Sequence, residues 1–137
     1  MDSVATLPAK QRFELFEATA LQLGLKPPII EKDFWVCWTL HHIFDIEQLR
    51  DALMFKGGTA LSKVFRVINR FSEDIDLAVD YAPLGFTGTR DPASTMSRTR
   101  RERLLDEMMS ACQEYVAGPF LGTLTERFVS LLGRQSK

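Results

Sequence analysis

The chain is short of cysteine, has no long apolar run and carries almost no net charge. Its two cysteines, Cys37 and Cys112, stand far apart, each in a helix-like stretch. A disulfide scaffold is excluded, and two reduced thiols of a cytosolic protein are expected. No stretch approaches the ~20 apolar residues of a membrane span. The opening MDSVATLPAK lacks the basic start and apolar run of a secretory signal, so a cytoplasmic protein without a membrane partner is expected. Seventeen basic and 18 acidic side chains leave a formal net charge of -1. That balance excludes a whole-protein attraction to nucleic acid, and a polyanionic partner would need a local patch. Two phosphate-loop signatures are also missing, Gly-x-x-x-x-Gly-Lys-Ser/Thr and Gly-x-Gly-x-x-Gly, which disfavours a P-loop ATPase and a dinucleotide fold.

What is present suits one compact domain. Of 137 residues, 45% are hydrophobic and 26% charged, as in ordinary globular proteins. From Leu7 to Leu23 the positions Phe13, Phe16, Ala20 and Leu23 recur at helical spacing, with Gly24 as a stop. Pro27 and Pro28 restart the chain. A second helix is expected from about Pro28 to Phe44, with Ile30, Phe34, Cys37, Trp38, His41 and Phe44 on one face. Its aromatic cluster, Phe34, Trp35 and Trp38, reads as core, with base stacking the rival reading. His41 and His42 are adjacent and point about 100° apart, without a ligand partner at metal-site spacing.

The central region changes period. LMFK, Leu53 to Lys56, reads as a short buried strand, TALSKVFRVI as a helix beginning at the glycines, and DIDLAV as a second strand. The segment Tyr81 to Thr95 reads as an exposed loop. Helical spacing resumes from about Ser94 through Val116, breaks at Gly118-Pro119 and returns from Phe120 to Leu132. The expected organisation is a mainly helical α/β (α+β) domain with a small sheet of few strands: helical 1–50, a strand, glycine turn, helix, strand core at 51–80, a loop at 81–95 and helical 96–137. Arg98, Arg100, Arg101 and Arg103 cluster at the entry to the last helical part. They read as a solvated face, with a phosphate or RNA contact as the rival.

Two features of the core carry chemistry. In a strand Asp74 and Asp76 would project to one face, where two like charges are stable only beside a cation, and carboxylate oxygens suit Mg²⁺ or Mn²⁺. Gly57, Gly58 and Thr59, at a strand end and helix start, would let a phosphate approach free amides and a hydroxyl. Each alone has a plain structural reading, an exposed strand edge and a tight turn. Together they describe the two halves of a metal-dependent nucleotidyl-transfer site, the glycines holding a triphosphate and the aspartates its metals.

The stretches IIEKDFWVCWTL, FKGGTALSKVF and RFSEDIDL resemble the nucleotidyltransferase toxins of the AbiEii/AbiGii group, within the polymerase-beta-like nucleotidyltransferase superfamily. The resemblance runs from about Leu7 to Val79 and more loosely through the helical C-terminal part. It implies a truncated nucleotidyltransferase-like fold, matching the N-terminal part of such a toxin. Gly57, Gly58 and Thr59 become the nucleotide-phosphate seat, Asp74 and Asp76 the catalytic metal ligands, and Ser72 a further phosphate or regulatory contact. Lys56, Lys63 and Arg70 become triphosphate partners. The implied activity is Mg²⁺- or Mn²⁺-dependent transfer of a nucleotide from a nucleoside triphosphate to RNA, the 3′ end of tRNA above all, in a toxin–antitoxin or phage-defence (abortive infection) system with a cognate antitoxin.

The superfamily's third carboxylate lies on a later strand that is not identifiable here, and Asp80 is the nearest substitute. The expectation is therefore a chain that holds the nucleotide and transfers poorly alone, with an exposed sheet edge open to self-association. The rival readings are a non-catalytic fragment that binds nucleotide or antitoxin, and a helical interaction protein.

Overall fold

The computed structural model describes residues 1–55, 75–94 and 96–133. Among them the chain order is α1 (Asp2–Ala5), α2 (Ala9–Leu23), α3 (Pro27–Asp45), α4 (Glu47–Arg50), β1 (Leu53–Phe55), β2 (Leu77–Val79), a 3-10 turn (Gly88–Arg90), α5 (Arg98–Tyr115), a π-helical turn (Val116–Phe120) and α6 (Leu121–Leu132). The architecture is mainly helical α+β, as the sequence pattern indicates.

The two long N-terminal helices begin and end where backbone chemistry directs. Gly24 takes φ 65°, and its N–H and that of Leu25 close on Leu21 and Ala20 carbonyls, a left-handed stop that glycine adopts without strain. Pro27 and Pro28 fill the first turn of α3, where a missing N–H leaves no bond unmade. The helix starts one residue earlier than the sequence suggests and ends one residue later. Helix α2 buries only Phe16 and Ala20, and Phe13 and Leu23 are exposed. The Phe16 and Phe34 rings, 5.4 Å apart, join α2 to α3.

Helix α3 is the spine of the domain. It buries Val36, Trp38, Leu40, His42 and Ile43, so apolar side chains surround it on more than one side. The expected single face is thereby corrected: His41 is exposed and His42 is the buried histidine. Trp38 packs on Phe128 of α6, ring centroids 4.9 Å apart. Arg127 Nη2 donates to Asp45 Oδ2 at 2.8 Å, a second tie between α6 and α3.

The core between these helices holds the sheet. Ile43, Leu49 and Leu53 form a buried cluster against which Phe44, Ile46, Leu77, Val79, Tyr115, Phe120 and Leu124 pack. Strands β1 and β2 pair antiparallel, Leu53 with Val79, Met54 with Ala78 and Phe55 with Leu77. Alternation decides the faces: Leu53, Leu77 and Val79 turn inward, and Met54 on the other face is 47% exposed.

Three local expectations are refined. The α-helix ends at Tyr115 and the next begins at Leu121, on either side of Gly118-Pro119 as the sequence suggests, and the residues between them form a π-helical turn. The loop after β2 is anchored, because Phe86 is 2% exposed and Arg90 lies over its ring at 4.8 Å. The second strand is shorter than DIDLAV, and Ile75 and Asp76 lead into it. The helix expected from the glycines onward lies outside the described residues.

Candidate functional site

Antiparallel pairing fixes where the chain leaves β1 and where it enters β2. Phe55 is the last residue of β1 and faces Leu77, the first of β2. The chain therefore leaves β1 and enters β2 at the same end of the sheet. Lys56-Gly57-Gly58-Thr59 follows Phe55 directly in sequence, and Asp76 directly precedes Leu77. Lys56, Gly57, Gly58, Thr59, Lys63, Arg70, Ser72 and Asp74 lie outside the described residues.

Asp76 is exposed while Leu77 beside it packs into the core. Its carboxylate thus stands in solvent at the end of a strand whose next residue is fixed, and it offers the hard oxygen donor that Mg²⁺ and Mn²⁺ accept. Ile75 lines a cleft against α3.

Asp80 cannot stand in for a third ligand at this place. Three residues of strand separate it from Asp76, four steps of about 13 Å in all, too far for both carboxylates to reach one metal. Asp80 also has a structural task at the opposite end of β2. Its N–H donates to the Ala52 carbonyl at 2.8 Å, and its Oδ1 accepts from the Ala82 N–H at 2.9 Å. Among the described residues no group of three or more His, Cys, Asp or Glu side chains could hold a metal ion.

The arginine cluster is largely occupied by the protein itself. Arg98 pairs with Glu102 at 2.8 Å, and Arg90 and Arg103 both reach Glu107. Arg100 donates to the Thr89 carbonyl and Arg101 to that of Ser94. Ser97 caps the helix below them by accepting from the Arg100 N–H. These partners favour the solvated-face reading.

One polar constellation has no counterpart in the sequence reading. Asp2 Oδ1 accepts from Trp38 Nε1 at 2.7 Å and lies 2.8 Å from His42 Nε2. An ionised carboxylate only accepts, so the Nε2 nitrogen carries the proton toward it. The bonds from His42 and Trp38 hold the Asp2 carboxyl below its ordinary value. Trp38 and His42 are each 1% exposed. The only available signal was the four-residue spacing of Trp38 and His42 on one helix, and a partner 36 residues earlier cannot be read from it.

Cys37 and Cys112 are free thiols. No helix among the described residues is long and apolar enough to cross a membrane.

A family model described as nucleotidyl transferase AbiEii toxin, type IV TA system, matches residues 38–134. The match begins inside α3, so most of IIEKDFWVCWTL precedes it, and it takes in both the glycine and aspartate stretches and the helical C-terminal part. The chain matches no curated protein and no solved structure.

Proposed function

The chain belongs to the nucleotidyl transferase AbiEii toxin family of type IV toxin–antitoxin systems, and from that premise we propose that it binds a nucleoside triphosphate with a divalent cation and transfers the nucleotide to an RNA acceptor, the 3′ end of tRNA first among candidates. The observation that carries this reading is the pairing of Phe55 with Leu77. It brings Phe55, which precedes the Lys56-Gly57-Gly58-Thr59 stretch in sequence, and Asp76, which precedes Leu77, to one end of one sheet.

In the proposed reaction the acceptor hydroxyl oxygen attacks the α-phosphorus, a new P–O bond forms, the bond to the bridging oxygen breaks, and pyrophosphate leaves while the hydroxyl proton passes to solvent or a base. Gly57, Gly58 and Thr59 hold the phosphates by main-chain amides and a hydroxyl. Lys56, Lys63 and Arg70 balance triphosphate charge, and Ser72 adds a phosphate or regulatory contact. Asp74 and Asp76 hold Mg²⁺ or Mn²⁺, which when bound neutralises the triphosphate and favours hydroxyl attack. Family membership also supports a cognate antitoxin protein, a role in abortive infection and a cytoplasmic site of action.

A second reading, nucleotide binding without transfer, is favoured by the placement of Asp80 at the far end of β2, where it cannot complete the metal site. Incubating the purified protein with Mg²⁺, each labelled nucleoside triphosphate and total tRNA separates the two. Label on RNA that is lost in Asp76→Asn supports transfer. Stoichiometric Mg²⁺-dependent binding without label supports the second reading, and absence of both rejects the site.

A further inference from the structure

Six residues of α3, Pro28, Glu31, Lys32, Trp35, Val36 and Thr39, recur at intervals of three and one. That spacing makes one continuous stripe along a helix. With Ile75 the stripe bounds an open cleft of about 570 Å³, within the roughly 300 to 1,000 Å³ of small-molecule sites. Its wall is mixed in the way such sites are: an indole, an aliphatic floor from Val36, a hydroxyl from Thr39 and the charged heads of Glu31 and Lys32.

The indole is held firmly. Trp35 meets Phe34 and Trp38 edge to face, at centroid distances of 5.1 and 5.6 Å. The Arg12 guanidinium lies 5.3 Å from the Trp35 ring and is itself fixed by bonds to the Ala5 and Leu7 carbonyls. Trp35 lines the cleft, and an indole there can stack a planar group. Trp35 is only partly buried, unlike Trp38.

The cleft is continuous with the proposed site through the chain itself, since Ile75 in its wall is joined to Asp76. We infer that this cleft seats the base and sugar of the nucleoside triphosphate, with the base stacked on Trp35. The inference rests on the proposed nucleotide site and extends it: phosphates and metal lie at the end of the sheet, and the heterocycle turns along α3. Stacking tolerates any base, because every base has a π-face. Glu31 and Thr39 then supply edge contacts that favour one base over another.

The test compares Mg²⁺-nucleoside triphosphates with Mg²⁺-inorganic triphosphate on the intact chain, by calorimetry and tryptophan emission. The chain has two tryptophans, and Trp38 is 1% exposed, so a direct contact reports on Trp35. Both ligands should bind, and only the nucleotide should quench the emission. Trp35→Leu should weaken nucleotide binding about tenfold to a hundredfold, as expected for loss of a base–aromatic stack, and leave inorganic triphosphate binding unchanged. Trp35→Phe, which keeps a stacking ring, should stay within a few-fold of wild type. Nucleotide that binds the wild-type protein without quenching, a readout that needs no variant to fold, overturns the inference while sparing the phosphate site. Equal binding of nucleotide by wild type and Trp35→Leu does the same. Failure of the wild-type protein to bind either ligand overturns the nucleotide site itself, and the base cleft with it.

Discussion

Phe55 and Leu77 face each other across two antiparallel strands, although 21 residues separate them in sequence. The single pairing brings the residue that precedes Lys56-Gly57-Gly58-Thr59 in sequence and the residue that follows Asp76 to one end of the sheet.

The first consequence concerns the two acids that flank β2. Asp76 is exposed at the shared end, and Asp80 is tied to Ala52 and Ala82 at the other. Asp76→Asn should weaken Mg²⁺-nucleotide binding roughly tenfold or more, the scale of losing one carboxylate from a hydrogen-bonded charge site. Asp80→Asn keeps an acceptor for Ala82 and should bind as wild type. Calorimetric titration of both variants checks this, and equal losses would place the site elsewhere.

Gly58 offers a second test. A branched side chain there would obstruct main-chain approach to a phosphate. Gly58→Val should lose nucleotide binding while circular dichroism confirms that the helices remain. A folded variant with normal binding would remove the phosphate seat.

Asp2 should make stability depend on acid. Its folded carboxyl lies below its ordinary value because of His42 and Trp38, so the unfolded chain binds the proton more readily. The stabilisation is fully present above the ordinary value, about 4, and is lost as pH falls through the lowered folded one. Melting temperature followed from neutral pH down to about pH 2 should therefore fall less steeply in Asp2→Asn than in wild type. Identical acid limbs would mean that Asp2 contributes nothing through this bond.

Trp38 joins α3 to α6 through Phe128 and to the N-terminus through Asp2. Trp38→Ala should destabilise the protein by ~3–5 kcal/mol, the cost of removing a large buried aromatic. Trp38→Phe should cost less, since it keeps much of the ring volume while losing the Nε1 donor. Urea unfolding of the two variants gives the comparison, and a Trp38→Ala midpoint near wild type would rule out Trp38 as the central packing residue.

Much of the fold is legible because it is local. Gly24 and the Pro27-Pro28 pair separate the first two long helices, a short apolar run marks LMF and alternation marks LAV as strands, and the spacing of Leu104 and Met108 marks α5. These signals act within a few residues, where backbone geometry and hydrogen bonding are set by neighbours. The same locality explains the errors. A helical wheel assumes one apolar face, but α3 is packed from several sides, so it pointed to His41 where His42 is buried. The spacing marks the break at Gly118-Pro119 but not its form, a π-helical turn flanked by the core-packed Tyr115 and Leu124.

The sequence by itself determined the chemical vocabulary of the proposed site: a Gly-Gly-Thr stretch, an Asp-Ile-Asp triplet and an aromatic helix, each a short motif whose residue types limit what it can bind. Tertiary structure decided which of the described residues are neighbours. Only the antiparallel register brings Asp76 to the end of β1, only the length of β2 removes Asp80 from its reach, and only the approach of Ile75 to α3 turns an aromatic stripe into a cleft. The reason is physical: strand register and helix packing are set by burying Ile43, Leu49 and Leu53 against side chains from distant parts of the chain, and no local pattern encodes the distance between two surfaces that meet only when that core closes.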